Sequence, residues 1–338
     1  MDKIDFVALW VDSDDPNWLA KKNKYLSDEQ KKQVLSYHAI SEERFRQTNN
    51  FRYWFRAVEE NAPWVNKIYL VTDEQKPEWL NINHPKLVLV DHKDYIPKQY
   101  LPLFNSSSIE INIHRIKNLS EHFVYINDDF LINTKVTPED FFKNGKPCQY
   151  VRLGNFYPYR YDVFDYSIFN DMIAINRNFT PEQLQNLIKR KLLNPAYGYK
   201  TVLRNLVQLP FKNIGNFAIN HYATPYLKSV FNEVWEKEFF LLDRTSKSKF
   251  RLPYDLNIFV FRYWYIAQGN FVPSPCIGKY YGLANCNLQE MEHDIRMGDH
   301  KLICVNDEPM TQQRYLEVKE TLSRALEARY PRKSSFEL

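Results

Sequence analysis

The sequence predicts an α/β fold, with a Rossmann-like, largely parallel sheet, helices on both faces and a helical insertion. Three apolar runs with strand propensity, at 4–11, 67–72 and 123–126, are separated by stretches of helical periodicity, and such alternation is typical of parallel sheets. The runs are apolar on both faces, as expected of strands that helices cover. Polar turns follow the strands, which is the usual start of an α/β unit that binds ligands at this edge.

The chain has 338 residues, enough for one large core or two medium domains. No linker rich in proline, glycine or serine divides it, so we expect a single composite domain. In this interpretation residues 1–149 form the first half of the α/β core, 150–215 an insertion or lid, and 216–338 the second half with a C-terminal helix. Charged residues (25%) and hydrophobic residues (44%) occur in globular proportions, which excludes wholesale disorder.

The formal net charge of +4 is too small, and too evenly spread, to indicate a nucleic-acid partner. It is compatible with weak attraction to an anionic membrane face or an anionic substrate. The sequence shows neither a signal-peptide pattern nor a window of about 18 apolar residues, so we expect a cytoplasmic protein. Peripheral association with the inner face of the membrane and the oligomeric state stay open. The four cysteines lack metal-type spacing and are expected to be reduced thiols.

In chain order, the first strand runs into the acidic turn Asp12–Pro16, where the lack of a GxGxxG loop disfavours dinucleotide binding. Helical periodicity at 41–61 ends at a proline, Pro63. The other predicted elements are strands at 67–72, 86–90, 166–176 and 300–305, and helices at 105–117, 180–191, 226–242, 254–268 and 311–330.

Two adjacent carboxylates interrupt the central apolar run. Phe123–Ile126 has the pattern of a buried strand, Asn127, Asp128 and Asp129 follow it, and Phe130–Ile132 resumes the run. Buried carboxylates cost several kcal/mol unless another charge compensates them, and ligands of open α/β sheets bind at the carboxyl ends of strands. A divalent cation is therefore one interpretation. The other is an edge turn in which Asp128 caps a helix and Asp129 is solvated.

Basic and helix-capping residues offer groups that could bind an anion. Arg52 and Arg56 lie four residues apart on one helix face and could hold phosphates bidentately. Pairing with Glu59 or other nearby acids is the alternative. Asn105 and Ser106 begin a predicted helix, whose free N–H groups form an anion site.

Further polar candidates lie at the ends of predicted elements. His114 and Arg115 end the helix at 105–117, and His114 could instead be a structural histidine bonded to a backbone carbonyl. Asn306 and Asp307 follow the strand at 300–305, which repeats the arrangement of acids after the central strand.

Separated blocks of motifs are specific enough to indicate a family. They are Trp10-Val11-Asp12, Phe51-Arg52-Tyr53, Asn61–Val65, Ile68–Asp73, Phe104-Asn105-Ser106, Ile109-Glu110, His114-Arg115-Ile116, Tyr125–Asp129, His221 with Arg251 thirty residues later, and Lys301–Asp307. With these blocks the chain resembles the Stealth proteins, which include bacterial capsular and cell-wall polysaccharide phosphotransferases and the animal N-acetylglucosamine-1-phosphotransferase. The resemblance covers most of the chain outside 150–215. The chain departs from the family pattern at Ser13 and Asp14, where a glycine is usual.

The resemblance implies that a sugar-1-phosphate passes from a nucleotide sugar, expected to be a UDP-linked hexose or N-acetylhexosamine, to a hydroxyl of an acceptor glycan or lipid-linked glycan. A nucleoside monophosphate leaves. It implies Mg²⁺ or Mn²⁺ bound by Asp129, Asp307 and Asn306, whose oxygens are hard ligands. It assigns catalytic roles to His221, as the base for the acceptor hydroxyl, and to Arg251 and Asp128. The substrate-binding residues that it implies are Trp10, Asp12, Arg52, Arg56, Asn105, Ser106, His114 and Arg115.

Three other functions remain alternatives at this point. A conventional metal-dependent glycosyltransferase would release a nucleoside diphosphate, because the acceptor then attacks the anomeric carbon. A non-catalytic sugar- or nucleotide-binding module would bind without turnover. A hydrolase would release sugar phosphate without an acceptor.

Overall fold

The computed structural model describes residues 2–26, 50–155 and 163–338. Within these ranges the strands are β1 (Ile4–Leu9), β2 (Ile68–Thr72), β3 (Leu87–Asp91), β4 (His122–Tyr125), β5 (Phe130–Ile132), β6 (Phe142–Lys143), β7 (Lys146–Gln149), β8 (Leu153–Gly154), β9 (Asn216–Phe217), β10 (Thr224–Leu227), β11 (Val272–Pro273), β12 (Gly278–Gly282) and β13 (Leu302–Asn306). The α-helices are α1 (Pro16–Tyr25), α2 (Phe51–Asn61), α3 (His92–Tyr95), α4 (Ser106–Glu110), α5 (Pro138–Phe141), α6 (Val163–Asn178), α7 (Pro181–Leu187), α8 (Tyr199–Leu206), α9 (Lys228–Lys237), α10 (Phe239–Lys247), α11 (Phe259–Ala267), α12 (Leu288–Met297) and α13 (Gln312–Arg329). The shorter helical turns are Lys98–Tyr100, Ile113–Arg115, Ile188–Leu192 and Pro195–Tyr197.

The central sheet has the strand order β10-β4-β1-β2-β3. Strands β1 to β4 are parallel, and the edge strand β10 is antiparallel to β4. Phe6 and Val7 of β1 and Phe123 and Val124 of β4 are fully buried although they point to opposite faces in turn, so both faces of the sheet are covered. The predicted α/β class and largely parallel sheet are therefore confirmed. The order β3-β2-β1-β4 is that of the first four strands of doubly wound nucleotide-binding sheets.

A second sheet adjoins the carboxyl end of β4. After the acidic turn the chain enters β5, which pairs antiparallel with β13, and β13 pairs parallel with β12. The predicted strand at 300–305 thus exists as β13, in this second sheet. Two smaller sheets, β11-β7-β6 and β8-β9, complete the strand pairing of the described residues.

Four predicted elements differ from the structure, of which the helix predicted at 254–268 differs least, because it begins at Phe259 as α11. The strand predicted at 166–176 is wrong: the segment belongs to α6, where Ile168, Met172 and Ile175 are buried at helical spacing. The helix predicted at 226–242 begins instead with β10, whose Pro225 is tolerated because the strand lies at a sheet edge, and then divides into α9 and α10. The helix predicted at 105–117 ends at Glu110, beyond which the Asn112 side chain donates back to Ser108 O at 2.8 Å.

The largest cluster of buried apolar side chains draws on all three predicted parts of the chain, for example Phe6, Leu192 and Phe261. The division into those parts itself stays a prediction. The beginning of the helix predicted at 41–61 lies outside the described residues, which resume at Asn50. In the described ranges no helix has both the length and the hydropathy to cross a bilayer.

Candidate active site at the switch point of the central sheet

The carboxyl ends of β1 and β4 lie side by side where the strand order reverses direction. The Ile126 N–H donates to Val7 O at 2.9 Å, so the loops that follow both strands leave the sheet together. One loop carries Trp10 and Asp12, and the other carries Asn127–Asp129. In open α/β sheets this crevice is where ligands bind.

Strand β10 brings His221 to the acidic loop. Because Thr224 is opposite Tyr125 in an antiparallel pair, the residues that precede β10 run alongside those that follow β4. His221 Nε2 consequently lies 3.9 Å from Asp129 Oδ2. The His221 ring packs edge-on against Phe130, with centroids 5.1 Å apart, which fixes its orientation.

Strand β13 brings the second acidic turn to the same loop. Cys304 is opposite Phe130, and the Val305 N–H donates to Asp129 O at 2.9 Å. The antiparallel register therefore leads Asn306 and Asp307 along the loop that follows β4. The Asn306 side-chain amide donates to Tyr280 Oη at 3.0 Å, which orients it at this edge.

The carboxylates of this loop fit a divalent cation. Asp128 is exposed and Asp129 is half-buried. Burial, together with repulsion from Asp128, raises the pKa of Asp129. Asp129 Oδ1 is buried and meets no hydrogen-bond donor within the described ranges. Its other oxygen, Oδ2, accepts a hydrogen bond from Cys304 Sγ at 3.5 Å and lies 3.9 Å from His221 Nε2. Two adjacent carboxylates with one uncompensated buried oxygen are a suitable site for a hard cation.

Arg251 contributes a positive charge to the site, although it is distant in sequence from the acidic loop. Its Nη2 donates to Ser106 Oγ at 2.6 Å, at the start of α4. One helical turn later the buried Glu110 accepts a hydrogen bond from Tyr125 Oη at 2.8 Å. Burial raises the pKa of Glu110, while the Tyr125 hydrogen bond and the Arg251 charge oppose that shift. The sequence places Glu110 on one helix face with Ser106 and His114, at a spacing of four, but assigns it no role in the site.

The imidazole of His221 is neutral near pH 7. Burial, with a smaller effect from the Arg251 charge, lowers the pKa of His221 to about 4. A neutral imidazole can accept a proton from a bound hydroxyl. The Arg251 charge thus acts on both His221 and Glu110, so these three side chains belong to one electrostatic unit.

Arg52 and Arg56 do not form a joint phosphate-binding pair in the structure. Arg56 donates to both carboxylate oxygens of Glu337, at 2.7 and 2.8 Å, and to Tyr330 O at 2.9 Å. This is the pairing alternative, although the acid is Glu337 and not a neighbour on the same helix. Arg52 lies over the Trp79 ring, with Cζ 5.7 Å from its centroid.

His114 and Arg115 have structural partners outside the acidic loop. The buried His114 ring lies 5.7 Å from the Phe231 centroid and 5.9 Å from that of Trp235. Burial lowers its pKa to about 3, so it stays neutral. Arg115 Cζ lies 4.6 Å from the Trp235 centroid. These contacts support the structural alternative for His114.

Three other predicted binding residues form the frame of the crevice. Asn105 caps α4 through its side-chain oxygen, at 3.1 Å from the Ser107 N–H. Trp10 stacks on Phe51 with centroids 6.1 Å apart. The backbone of Asp12 is fixed by the Gln75 side chain, which accepts from Asp12 N at 2.9 Å and donates to Asp12 O at 2.8 Å. Their roles toward a substrate stay predictions.

The switch point of the parallel sheet carries paired carboxylates, a neutral imidazole and a guanidinium. Together these groups form an enzyme-like site in an α/β protein. Comparisons with known proteins agree with the predicted family. The family model described as "Stealth protein CR2, conserved region 2" matches residues 44–149. The chain is 41% identical to the receptor polysaccharide phosphotransferase WefC of Streptococcus oralis, over 100% of both chains. The chain belongs to the Stealth family.

Other curated relatives extend the likeness. The chain is 40% identical to the capsular polysaccharide phosphotransferase WcwK of Streptococcus pneumoniae, over 100% of this chain and 98% of that protein. It is 38% identical to the exopolysaccharide phosphotransferase cps2G of Lactiplantibacillus plantarum, over 99% and 96%. Mouse xyloside xylosyltransferase 1 aligns with 91% of this chain and 100% of that structure, at 8% identity and a TM-score of 0.36, a level that indicates neither a shared fold nor a shared activity.

Proposed function

We propose that this protein is a polysaccharide phosphotransferase of capsular or cell-surface polysaccharide synthesis. In this proposal it transfers a sugar-1-phosphate from a nucleotide sugar, a UDP-linked hexose or N-acetylhexosamine, to a hydroxyl of an acceptor glycan. The names of the full-length relatives, all of which are polysaccharide phosphotransferases, support the general class of acceptor. The donor is the finer part of the proposal.

The observation that carries the proposal is the 3.9 Å distance between His221 Nε2 and Asp129 Oδ2. The positive charge of Arg251 acts on the same histidine. Transfer of a phosphoryl group needs a base for the incoming hydroxyl and positive charge for the phosphoryl oxygens. A neutral His221 supplies the first, and Arg251 supplies part of the second. The switch point of a parallel sheet is a suitable place for the nucleotide of the donor.

In the proposed step, the acceptor oxygen attacks the phosphorus that carries the sugar. The new bond joins the acceptor oxygen to this phosphorus, and the bond from this phosphorus to the oxygen of the nucleotide phosphate breaks. The hydroxyl proton passes to His221 Nε2, and the nucleoside monophosphate leaves with the bonding electron pair. Arg251, held by Ser106, neutralises charge on the diphosphate.

Asp129, Asp128, Asp307 and Asn306 are the residues that would hold Mg²⁺ or Mn²⁺. The buried, uncompensated Asp129 Oδ1 is the structural reason for this assignment. When bound, such an ion neutralises charge on the donor diphosphate. Glu110, which accepts a hydrogen bond from Tyr125, interacts with Ser106 and with the charge of Arg251 and so helps to position both.

The proposal is tested by incubating the purified chain with UDP-sugars, Mg²⁺ or Mn²⁺ and a glycan acceptor. Release of UMP with formation of a phosphodiester, seen by mass spectrometry, is the expected result. Release of UDP would show the conventional glycosyltransferase, and sugar phosphate without acceptor would show the hydrolase.

Variants of two histidines connect this reaction to the site. His221→Ala should lower kcat about a hundredfold or more, because the base is lost. His293→Ala is the matched control, since His293 is an exposed histidine on α12 whose Nε2 lies 3.7 Å from a carboxylate oxygen of Asp299. Equal activity of the two variants would contradict the assignment of His221.

A further inference from the structure

Helix α8 presents its polar side to the protein and its apolar side to solvent. The Asn205 side chain, fully buried, donates to Val151 O at 3.0 Å and Leu192 O at 2.8 Å, and accepts from Leu153 N at 2.7 Å. One turn earlier, Thr201 Oγ1 lies 2.6 Å from Tyr150 Oη, within hydrogen-bond distance. These bonds fix the rotation of the helix, because turning it over would leave buried polar groups unpaired.

The opposite side of α8 forms what we call the outward apolar face, made of Tyr199, Leu203, Leu206 and Val207. These side chains are exposed by 78%, 60%, 44% and 60%, respectively. Their spacing of three, four and seven or eight residues places them on one side of a helix. Helices of water-soluble proteins normally bury such a stripe, and a concentrated exposed apolar patch marks an interaction surface.

The chain around this face is strongly basic. Residues 181–215 contain one acid, Glu182, and six basic residues: Lys189, Arg190, Lys191, Lys200, Arg204 and Lys212. Lys200 and Arg204 belong to α8 itself and flank the outward apolar face. Apolar and aromatic side chains beside lysine and arginine are the composition of helices that lie in the interface of anionic membranes.

Charge favours a membrane over a protein partner. Lysine is depleted in the cores of protein–protein interfaces. A second copy of this chain, meeting the first through the same face, would place the same cations opposite each other. An anionic bilayer instead complements the cations and accepts the apolar side chains between them.

The buried side of α8 also connects to the candidate active site through a short series of contacts. Thr201 contacts Tyr150 Oη, and Tyr150 O accepts from the Asn220 side chain at 2.8 Å. Asn220 directly precedes His221 in the chain. Helix α8 is therefore connected to the segment that carries His221 through Tyr150 and Asn220.

We propose that the outward apolar face of α8 docks the protein peripherally on an anionic lipid bilayer, where it meets a lipid-linked acceptor. The identity of the acceptor rests on the proposed function, whereas the docking itself does not. A binding measurement without substrates therefore tests the docking separately from the transferase activity.

The test is co-sedimentation of the purified chain with vesicles of phosphatidylglycerol and phosphatidylcholine, compared with vesicles of phosphatidylcholine alone. We expect binding to the anionic vesicles that weakens with salt. Leu203→Glu combined with Val207→Glu should weaken it about tenfold or more, because apolar contact is lost and two negative charges are added. The control is Phe239→Glu with Phe240→Glu, which changes another exposed apolar pair, 51% and 84% exposed, on α10.

A second variant keeps the test valid if the first does not fold. Lys200→Gln with Arg204→Gln leaves the apolar side chains in place and should reduce binding to the anionic vesicles about tenfold. The proposal would be overturned if the wild-type chain bound neutral and anionic vesicles equally well. It would also be overturned if the α10 control lost as much binding as the Leu203→Glu, Val207→Glu variant. A wild-type dimer in light scattering that the Leu203→Glu, Val207→Glu variant converts to a monomer would overturn it as well, because a second copy would then be the occupant. If the wild-type chain binds the vesicles but shows no transfer activity, the proposed function is rejected and the docking is not.

Discussion

Replacing Arg56 with glutamine separates a structural guanidinium from a substrate-binding one. Arg56 makes three hydrogen bonds, two to Glu337 and one to Tyr330 O, and the side chains of the ion pair are only 9% and 2% exposed. Removing one partner of such a buried pair leaves the other charge uncompensated, which typically costs about 3–5 kcal/mol. We therefore expect Arg56→Gln to lower the free energy of unfolding by about 3 kcal/mol, measured by urea titration.

The control is Arg324→Gln. Arg324 also makes a bidentate contact, to Glu292 at 3.1 and 2.8 Å, but it is 52% exposed, so its removal should have a much smaller effect. In the Arg56→Gln variant the Michaelis constant for the donor should stay within about twofold of wild type, because no diphosphate contact is lost. A stable variant with a strongly raised donor Michaelis constant would refute the structural assignment and favour the phosphate clamp.

The ion pair also predicts a pH dependence. Burial raises the pKa of Glu337, but the hydrogen bonds from Arg56 and Ser334 together outweigh it, so the pKa lies below its ordinary value. A carboxyl with a depressed pKa in the folded state contributes stability above its unfolded pKa of about 4.3, and this contribution is lost as the pH falls through the folded value. The stability difference between wild type and Arg56→Gln should therefore shrink below about pH 4.3. A difference that stays constant to pH 3 would contradict the pairing.

Three further changes have expected outcomes. Asn105→Ala removes the cap of α4 and the 2.9 Å hydrogen bond to the buried Asp255, so the free energy of unfolding should fall by about 2 kcal/mol in urea titration; an unchanged value would contradict the capping role. His114→Phe should retain transfer activity, and its stability should decline less on acidification than that of the wild type. The pKa of His114 is about 3 in the folded protein and near 6.5 in the unfolded chain, so the wild type loses stability as the pH falls between these values. A loss of kcat in the variant would instead restore His114 to the site. Chelation with EDTA should abolish turnover, Mg²⁺ or Mn²⁺ should restore it, and Asp129→Asn should not be restored; full activity in EDTA would exclude the assigned cation.

Local patterns predicted the parts of the site that depend on neighbouring residues. The central strand and the acids after it were visible because a run apolar on both faces was interrupted by two carboxylates, at Asp128 and Asp129. The same holds for Asp307 after β13. The position of His221 depended on the antiparallel register between β10 and β4, which no local pattern encodes, and the family motif supplied that information.

Long-range partners explain what sequence reasoning got wrong or missed. The acid that pairs with Arg56 is 281 residues away, so the periodicity of α2 suggested only closer partners. The sequence placed Glu110 beside Ser106 on one helix face, but its hydrogen bond from Tyr125 became visible only in the structure. The start of the helix predicted at 226–242 was wrong because aromatic and β-branched residues near Pro225 fit an edge strand, and pairing with β4 decided between the two.

The central claim is attack of the acceptor on phosphorus at the site of His221 and Asp129. The most direct measurement uses a nucleotide sugar labelled with ¹⁸O at the oxygen that joins the sugar to its phosphate. If the acceptor attacks phosphorus, mass spectrometry will find the label in the glycan phosphodiester and none in the released nucleotide. Label in a released nucleoside diphosphate would show attack on the sugar carbon and contradict the claim.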